Sequence, residues 1–389
     1  MALAADLGTM FCVKGSIDEV DQSAIFSVER NVFAQVRENL EDPEEVLKEN
    51  NYAYVKHDGK FYVIGEDVFK VHEIESLFKK SGASSYFSEM RRPMKDGLIN
   101  IAEEKKAIAI IQAIIKRLIG KPAYENEVLC FCSPDDPTNV GKNALFHKTI
   151  LSNFISSLGF HVECINEALA IIFSECPVVE DPNEPDGIAK FSGISMSFGA
   201  GCVNSCCAWK QLPLLTLANA HSGDWVDQEA SKVAGCEIAT ITRYKEKYFD
   251  LSKSSDDVKH MALEVYYKAM IENAVKNFAS RFESLDEKDE KISAPLPIVI
   301  AGGTASVPGF VPKFEEVLSK MTLPFVIKEV RLAKSPLYSV ANGCLTKAIS
   351  IESKQRKQKS TPQPKQETKS KEKMAEIKKE NSPKKIKLQ

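Results

Sequence analysis

The sequence predicts an α/β protein whose sheets are covered by helices. Three observations carry this: apolar, β-branched runs alternate with segments of helical spacing, most runs end in small residues, and three of those endings are widely separated glycine turns.

The strand-like runs lie at Met1–Val13, Glu127–Cys132, Val162–Ile165, Gly193–Ala208 and Leu296–Ala301. Helical spacing marks Glu103–Leu118, Lys142–Leu158, Trp225–Val233, Asp256–Ser284 and Val311–Lys320, where apolar residues recur every three or four positions and so form one stripe. With 389 residues, 43% of them hydrophobic, the chain can bury a large core, and its length suggests about two domains.

Charge divides the chain unevenly. Residues 353–389 contain 13 Lys or Arg and 4 Asp or Glu, a net of +9 (13 − 4), which leaves −12 (−3 − 9) on residues 1–352. This C-terminal stretch is rich in Lys, Gln, Ser, Pro and Glu and poor in large apolar residues, so burial cannot offset its ordering entropy and disorder is expected. It would either stay solvated or engage DNA, an anionic membrane surface or an acidic protein, with binding that weakens steeply in salt. No window approaches the roughly 18 unbroken apolar residues that span a bilayer, and the start has no basic region before a long apolar stretch, so a cytoplasmic protein is expected. Six of the ten cysteines (Cys130, Cys132, Cys164, Cys202, Cys206 and Cys207) fall in short apolar runs, with no Cys-x-x-Cys pair, which favours buried thiols over a zinc site.

The three glycine turns are Asp6-Leu7-Gly8-Thr9, Ser197-Phe198-Gly199-Ala200-Gly201 and Ala301-Gly302-Gly303-Thr304. A strand that ends in glycines presents backbone N–H groups with no Cβ in the way, as a phosphate or ribose requires. None fits a phosphate loop ending in Gly-Lys-Ser/Thr, and none fits the Gly-x-Gly-x-x-Gly dinucleotide turn. The phosphate would then sit between two hairpins, in a cleft between two domains.

In this order the turns resemble those of the superfamily of actin, the bacterial shape protein MreB, the plasmid-segregation protein ParM, the 70-kDa heat-shock chaperones and the sugar kinases. The resemblance covers roughly residues 1–348. It implies a two-domain actin-like ATPase fold, with duplicated ribonuclease H-like sheets flanking a nucleotide cleft, ATP or ADP with Mg²⁺ as cofactors, and domains at residues 1–160 and 161–349 ahead of a tail at 350–389. Asp6 would organise the hydration shell of Mg²⁺, binding the metal through water, and Gly8, Thr9 and Met10 would touch the phosphates. Lys14 lies one residue later than the phosphate-contacting lysine of actin, and a solvated strand-end lysine is the alternative.

Arg92-Pro93-Met94-Lys95-Asp96-Gly97-Leu98-Ile99 resembles the Arg-Pro-x-x-Asp-Gly-x-Ile stretch of MreB and points to the prokaryotic actins; it implies a structural connection, not a catalytic site. Asn166-Glu167-Ala168 resembles the start of the connecting helix of chaperones and MreB. Glu167 would cap that helix or join the metal's shell, the cap being preferred. In the second phosphate loop Gly199, Ala200, Gly201 and Cys202 keep the backbone cradle, but Ser197 replaces the aspartate that helps hold Mg²⁺ and orient the attacking water, so hydrolysis should be slow or differently organised. His147 falls near the glutamate that MreB places at that water, and a structural histidine is the alternative.

Ser222-Gly223-Asp224 resembles the turn that passes the phosphates and metal, with a helix cap as its other reading. Lys245 and Glu246 resemble actin's pair bordering the adenine and ribose, and Gly302, Gly303 and Thr304 resemble the loop packed on the nucleoside. Ser335-Pro336-Leu337-Tyr338-Ser339-Val340-Ala341-Asn342-Gly343 resembles the closing helix. The resemblance implies an actin-like ATPase that assembles into filaments regulated by nucleotide; a non-polymerising ATP-sensing adaptor is the second reading and a small-molecule kinase the third.

Overall fold

The computed structural model describes residues 2–79, 85–141, 143–175, 179–180, 188–189, 191–285 and 295–360. The chain begins with β1 (Leu3–Leu7), β2 (Phe11–Ile17) and β3 (Ala24–Arg30), an antiparallel meander. It continues through β4 (Phe33–Gln35), α1 (Pro43–Glu49), β5 (Tyr54–His57), β6 (Lys60–Ile64) and α2 (Asp67–Lys79). These form a small sheet in the order β4-β6-β5 over its own apolar cluster, which includes Ala34, Leu47, Val63 and Val68.

Next comes a tight hairpin, β7 (Met94–Lys95) and β8 (Leu98–Ile99), whose two turn residues, Asp96 and Gly97, have φ of 55° and 81°. Two successive positive φ angles define a type I′ turn, which Asp-Gly favours. The first half closes with α3 (Ala107–Ile119), β9 (Val128–Ser133), α4 (Ala144–Ser157) and β10 (His161–Asn166), followed directly by α5 (Glu167–Glu175). A short pair, β11 (Val179–Glu180) and β12 (Ile188–Ala189), leads to the second half. That half contains β13 (Gly193–Phe198), β14 (Val203–Trp209), β15 (Leu212–Asn219), α6 (Gly223–Ala234), α7 (Ile238–Tyr248) and α8 (Val258–Glu283). β16 (Leu296–Ala301), a 3₁₀ turn at Gly303–Ser306, α9 (Phe310–Leu318), β17 (Ile327–Leu332) and α10 (Ser339–Ser360) complete the described chain.

The two large sheets repeat one another. The first runs β10-β9-β1-β2-β3 and the second β17-β16-β13-β14-β15. In each, the lead strand starts an antiparallel meander on one side and has two parallel strands on the other. The runs Met1–Val13 and Gly193–Ala208, continuous in sequence, each resolve into two strands around a turn.

Each half has its own core. Under the first sheet α3 buries Ile110, Ile111, Ile114 and Ile115 completely against Phe131, Leu151 and Ile155; each such isoleucine contributes roughly 1.5–3 kcal/mol before entropy is counted. Under the second, Tyr267, Met270, Ile271 and Phe278 of α8 pack with Phe198, Phe310 and Phe314. A third cluster joins Ala4 and Cys130 of one sheet to Cys206 and Val299 of the other through Ala168–Ile172 of α5 and Val340, Cys344 and Leu345 of α10. There a Cβ on Gly343 would collide with the Ala170 carbonyl, so the two helices cross at backbone contact.

α10 runs on to Ser360, so residues 350–360, expected to belong to a disordered tail, are helical; residues 361–389 lie outside the described residues. Among the described residues no helix is long and apolar enough to cross a membrane, and no three His, Cys, Asp or Glu gather as metal ligands.

Candidate functional site

β1 and β13 run in corresponding places of their sheets, and the turns that follow them face each other. Gly8 closes the first turn by donating its N–H to the Phe11 carbonyl at 3.0 Å, and a Cβ there would approach that oxygen to 2.8 Å. Asn31, fully buried, holds the same turn from behind by donating to the Gly8 carbonyl at 2.9 Å. In the second turn the Gly199 N–H donates to Cys202 O at 3.0 Å. Its carbonyls are engaged from outside: Gly199 O accepts from Gly223 N–H (3.1 Å) and Thr304 Oγ1 (3.0 Å), and Ala200 O accepts from Asp224 N–H (2.8 Å). Among the described residues the N–H groups of Thr9, Met10, Ala200 and Gly201 have no protein acceptor. Two pairs of free donors on facing turns could together hold an anion.

A third turn meets them. Gly97, at the tip of the β7–β8 hairpin, leaves no room for a Cβ beside Cys202 Sγ (2.6 Å), and Thr9 Oγ1 and the Gly97 N–H occupy the space a Cβ on Gly201 would need. The Arg92–Ile99 segment, expected only as a connection, therefore carries its tip into the cavity that Thr9 and Gly201 line. At about 180 Å³ this cavity is smaller than the roughly 300–1,000 Å³ of small-molecule sites. An intact nucleotide requires the turns to part.

Two carboxylates lie at the cavity floor, Asp6 from β1 and Glu167 from the first turn of α5. Burial pushes Asp6 up to about 6, against a hydrogen bond from Cys132 Sγ to Oδ1 at 3.4 Å. Burial, and after it the charge of Asp6, pushes Glu167 up to about 8, while Ser197 Oγ donates to its Oε1 at 2.9 Å and Asn204 also bonds it. Neither acid has a basic partner among the described residues. Buried, mutually repelling and unneutralised, the pair suits Mg²⁺, which binds through one or two carboxylates with water and phosphate oxygens completing its shell. Three protein ligands are not needed for that mode. Glu167, for which both a helix cap and a metal-shell role are expected, is the first residue of α5 and lies close enough to Asp6 to feel its charge; its place at the start of α5 was visible in the sequence, but its nearness to Asp6 was not.

The wall beyond the turns is suited to a nucleoside. Gly302 (φ 97°) packs its backbone on Phe198 and donates to Pro336 O at 2.9 Å, with Gly303, Thr304, Leu337 and Val340 alongside. Lys245 and Glu246 also line the cavity. Lys245 is fixed by Asp227, buried, at 2.7 Å, and Asp227 also accepts from Thr242 at 2.7 Å.

Four expected residues fall elsewhere. Lys14 lies mid-strand in β2, opposite Ala5 and Ser27, and does not line the cavity. His147 is a correction: it is buried on α4, its Nδ1 accepts from Ile99 N–H at 3.3 Å, and desolvation lowers it to about 4, so it supports the β7–β8 hairpin as a neutral imidazole away from the cavity. Asp224 gives its N–H to the second turn, but its carboxylate turns away to a bidentate pair with Arg92 at 2.8–3.1 Å, and Gly223 likewise backs the turn without lining the cavity. Burial raises Asp224, and Arg92 counters it.

A structure described as a MamK double helical filament aligns at a TM-score of 0.63 and 15% identity, over 90% of this chain and 99% of that one. MreB 5 of Spiroplasma citri bound to AMPPNP aligns at 0.61 and 13% identity, over 91% and 98%, and the same protein bound to ADP at 0.59 and 14%, over 91% and 98%. At these identities they show a shared fold, the two-domain actin-like one. No curated protein matches the sequence. A family model described as Volactin matches residues 1–348.

Proposed function

This chain belongs to the Volactin family, and we propose that it is an actin-like ATPase of the cytoplasm that binds ATP or ADP with Mg²⁺ between its halves and assembles into nucleotide-regulated filaments. Residues 1–160 and 161–349 act as the two jaws. The observation that carries the reading is the buried Asp6–Glu167 pair beneath two facing turns with free N–H groups. Asp6 would hold the hydrated metal, whose charge would offset both the acids and the phosphates. The free amides of Thr9, Met10, Ala200 and Gly201 bind phosphate oxygens, and the Gly302–Thr304 backbone with Leu337 and Val340 receives the nucleoside.

Glu167 supplies the negative charge that Ser197 lacks. Once ionised, its carboxylate accepts a proton from a water beside the terminal phosphate, and the Ser197 hydroxyl orients it by donating to Oε1. Nucleotide that fills the cleft fixes the angle between the halves and so selects the conformation that polymerises. The likeness in fold to a filament-forming MamK and to nucleotide-bound MreB 5 supports this reading. The +9 segment at the C-terminus is the natural contact for an anionic partner.

Titration calorimetry with Mg-ATP, then pelleting and electron microscopy with ATP, with ADP and without nucleotide, tests the proposal. Magnesium-dependent binding with ATP-dependent filaments is expected. No affinity for either nucleotide would end it.

A further inference from the structure

The Arg92–Asp224 pair crosses between the halves where the three turns meet. Arg92 lies two residues before the β7–β8 hairpin whose tip, Gly97, abuts Cys202. Asp224 is the second residue of α6, and its N–H holds the Ala200 carbonyl of the second phosphate turn. Arg92 Nη1 reaches both carboxylate oxygens, at 3.1 and 2.8 Å, and Nη2 reaches Oδ1 at 3.0 Å. A planar fork of this kind fixes orientation as well as distance, which a lysine ammonium cannot do. On the far side of the hairpin Ile99 is anchored to His147. The hairpin is thus held at both ends, and its tip closes a cavity too small for the ligand it is built to take.

We propose that Arg92 is a positioning residue that, through Asp224, clamps the β7–β8 hairpin onto the second phosphate turn and so sets the rate of nucleotide exchange. The inference rests on the nucleotide reading of the cleft. Opening the turns breaks the fork; closing over bound phosphate remakes it. Both side chains are about 30% exposed, so the bond adds to closure without locking it.

Dissociation of a fluorescent ATP analogue, chased with excess ATP in a stopped-flow instrument, measures this directly. Arg92→Ala and Asp224→Ala should each raise the off-rate about fivefold, and the double variant should rise no further. Arg92→Lys, which keeps the charge and loses the fork, should lie between, and the exchanged pair Arg92→Asp with Asp224→Arg should return toward the native rate. Hydrogen exchange on nucleotide-free protein should quicken in residues 94–99 and 199–203 together in the single variants, a response that a local packing defect would confine to one side. Off-rates within twofold of native, or single effects that add, would overturn the clamp. Absence of nucleotide binding by the native chain would instead overturn the reading beneath it, and the exchange role with it.

Discussion

β1 and β13 are equivalent strands of two sheets with one topology, yet they end in different chemistry. Each places a polar side chain at its penultimate position, Asp6 in one and Ser197 in the other, and each follows two residues later with a glycine that opens a turn. The first ends in a carboxylate and the second in a hydroxyl. Beside the second strand the carboxylate comes from outside its sheet: Glu167, at the head of the helix after β10, accepts from the Ser197 hydroxyl, and on the reading proposed above it would supply the charge that Ser197 lacks. Two strands of one topology can keep the same backbone turn while the carboxylate beside it comes from a different element.

Removing the Glu167 carboxylate should have the greatest effect. Glu167→Gln should cut ATP hydrolysis by about 10²–10³ with nucleotide affinity little changed, whereas Asp6→Asn should mainly weaken magnesium-dependent binding, by about tenfold. Single-turnover assays and calorimetry on both variants separate the roles, and equal loss of hydrolysis and binding in both would erase the distinction. The backbone side of the comparison is tested by Gly302→Ala. Its φ of 97° and the nearness of Phe198 backbone atoms predict a loss of about 3 kcal/mol in denaturant unfolding, a cost unrelated to charge.

A pH series sharpens the comparison further. The folded values of Asp6 and Glu167, about 6 and about 8, lie above their unfolded ones, so the nucleotide-free protein holds those protons more tightly than the unfolded chain. Their contribution to stability is complete below about pH 4 and is lost as pH rises through 6 and then 8. Thermal melts should fall over that interval without ligand, and the affinity for Mg-ATP should climb over it, since the metal takes the ionised acids. The smallest effect belongs to His147→Leu. Removing the acceptor of the Ile99 N–H should cost about 1–2 kcal/mol of stability and leave turnover per bound nucleotide within twofold.

Much of the fold was legible because its elements are long and periodic. α3, α4, α6, α8 and α9 appear within a few residues of where the apolar spacing puts them, and the glycine turns after β1, β13 and β16 converge. The small sheet escaped because its strands of 3, 4 and 5 residues are too short to display a period. The site was legible where backbone dictates residue type, as at Gly8, Gly199 and Gly302, and illegible where a side chain must choose between neighbours. The chain order of Asp224 implies a place near a bound phosphate; only the fold shows that Arg92, 132 residues away, holds its carboxylate. His147 misled for a similar reason, since its helical position is right and its burial beneath β8 depends on packing that no local pattern encodes.

Gly343, pressed on the Ala170 carbonyl where α10 crosses α5, has a mechanical consequence. With no side chain between them the two backbones meet directly, so any bulkier residue at position 343 would push α10 off α5. Such a displacement would loosen the buried cluster that joins the two sheets, so this single missing side chain helps hold both halves of the molecule together.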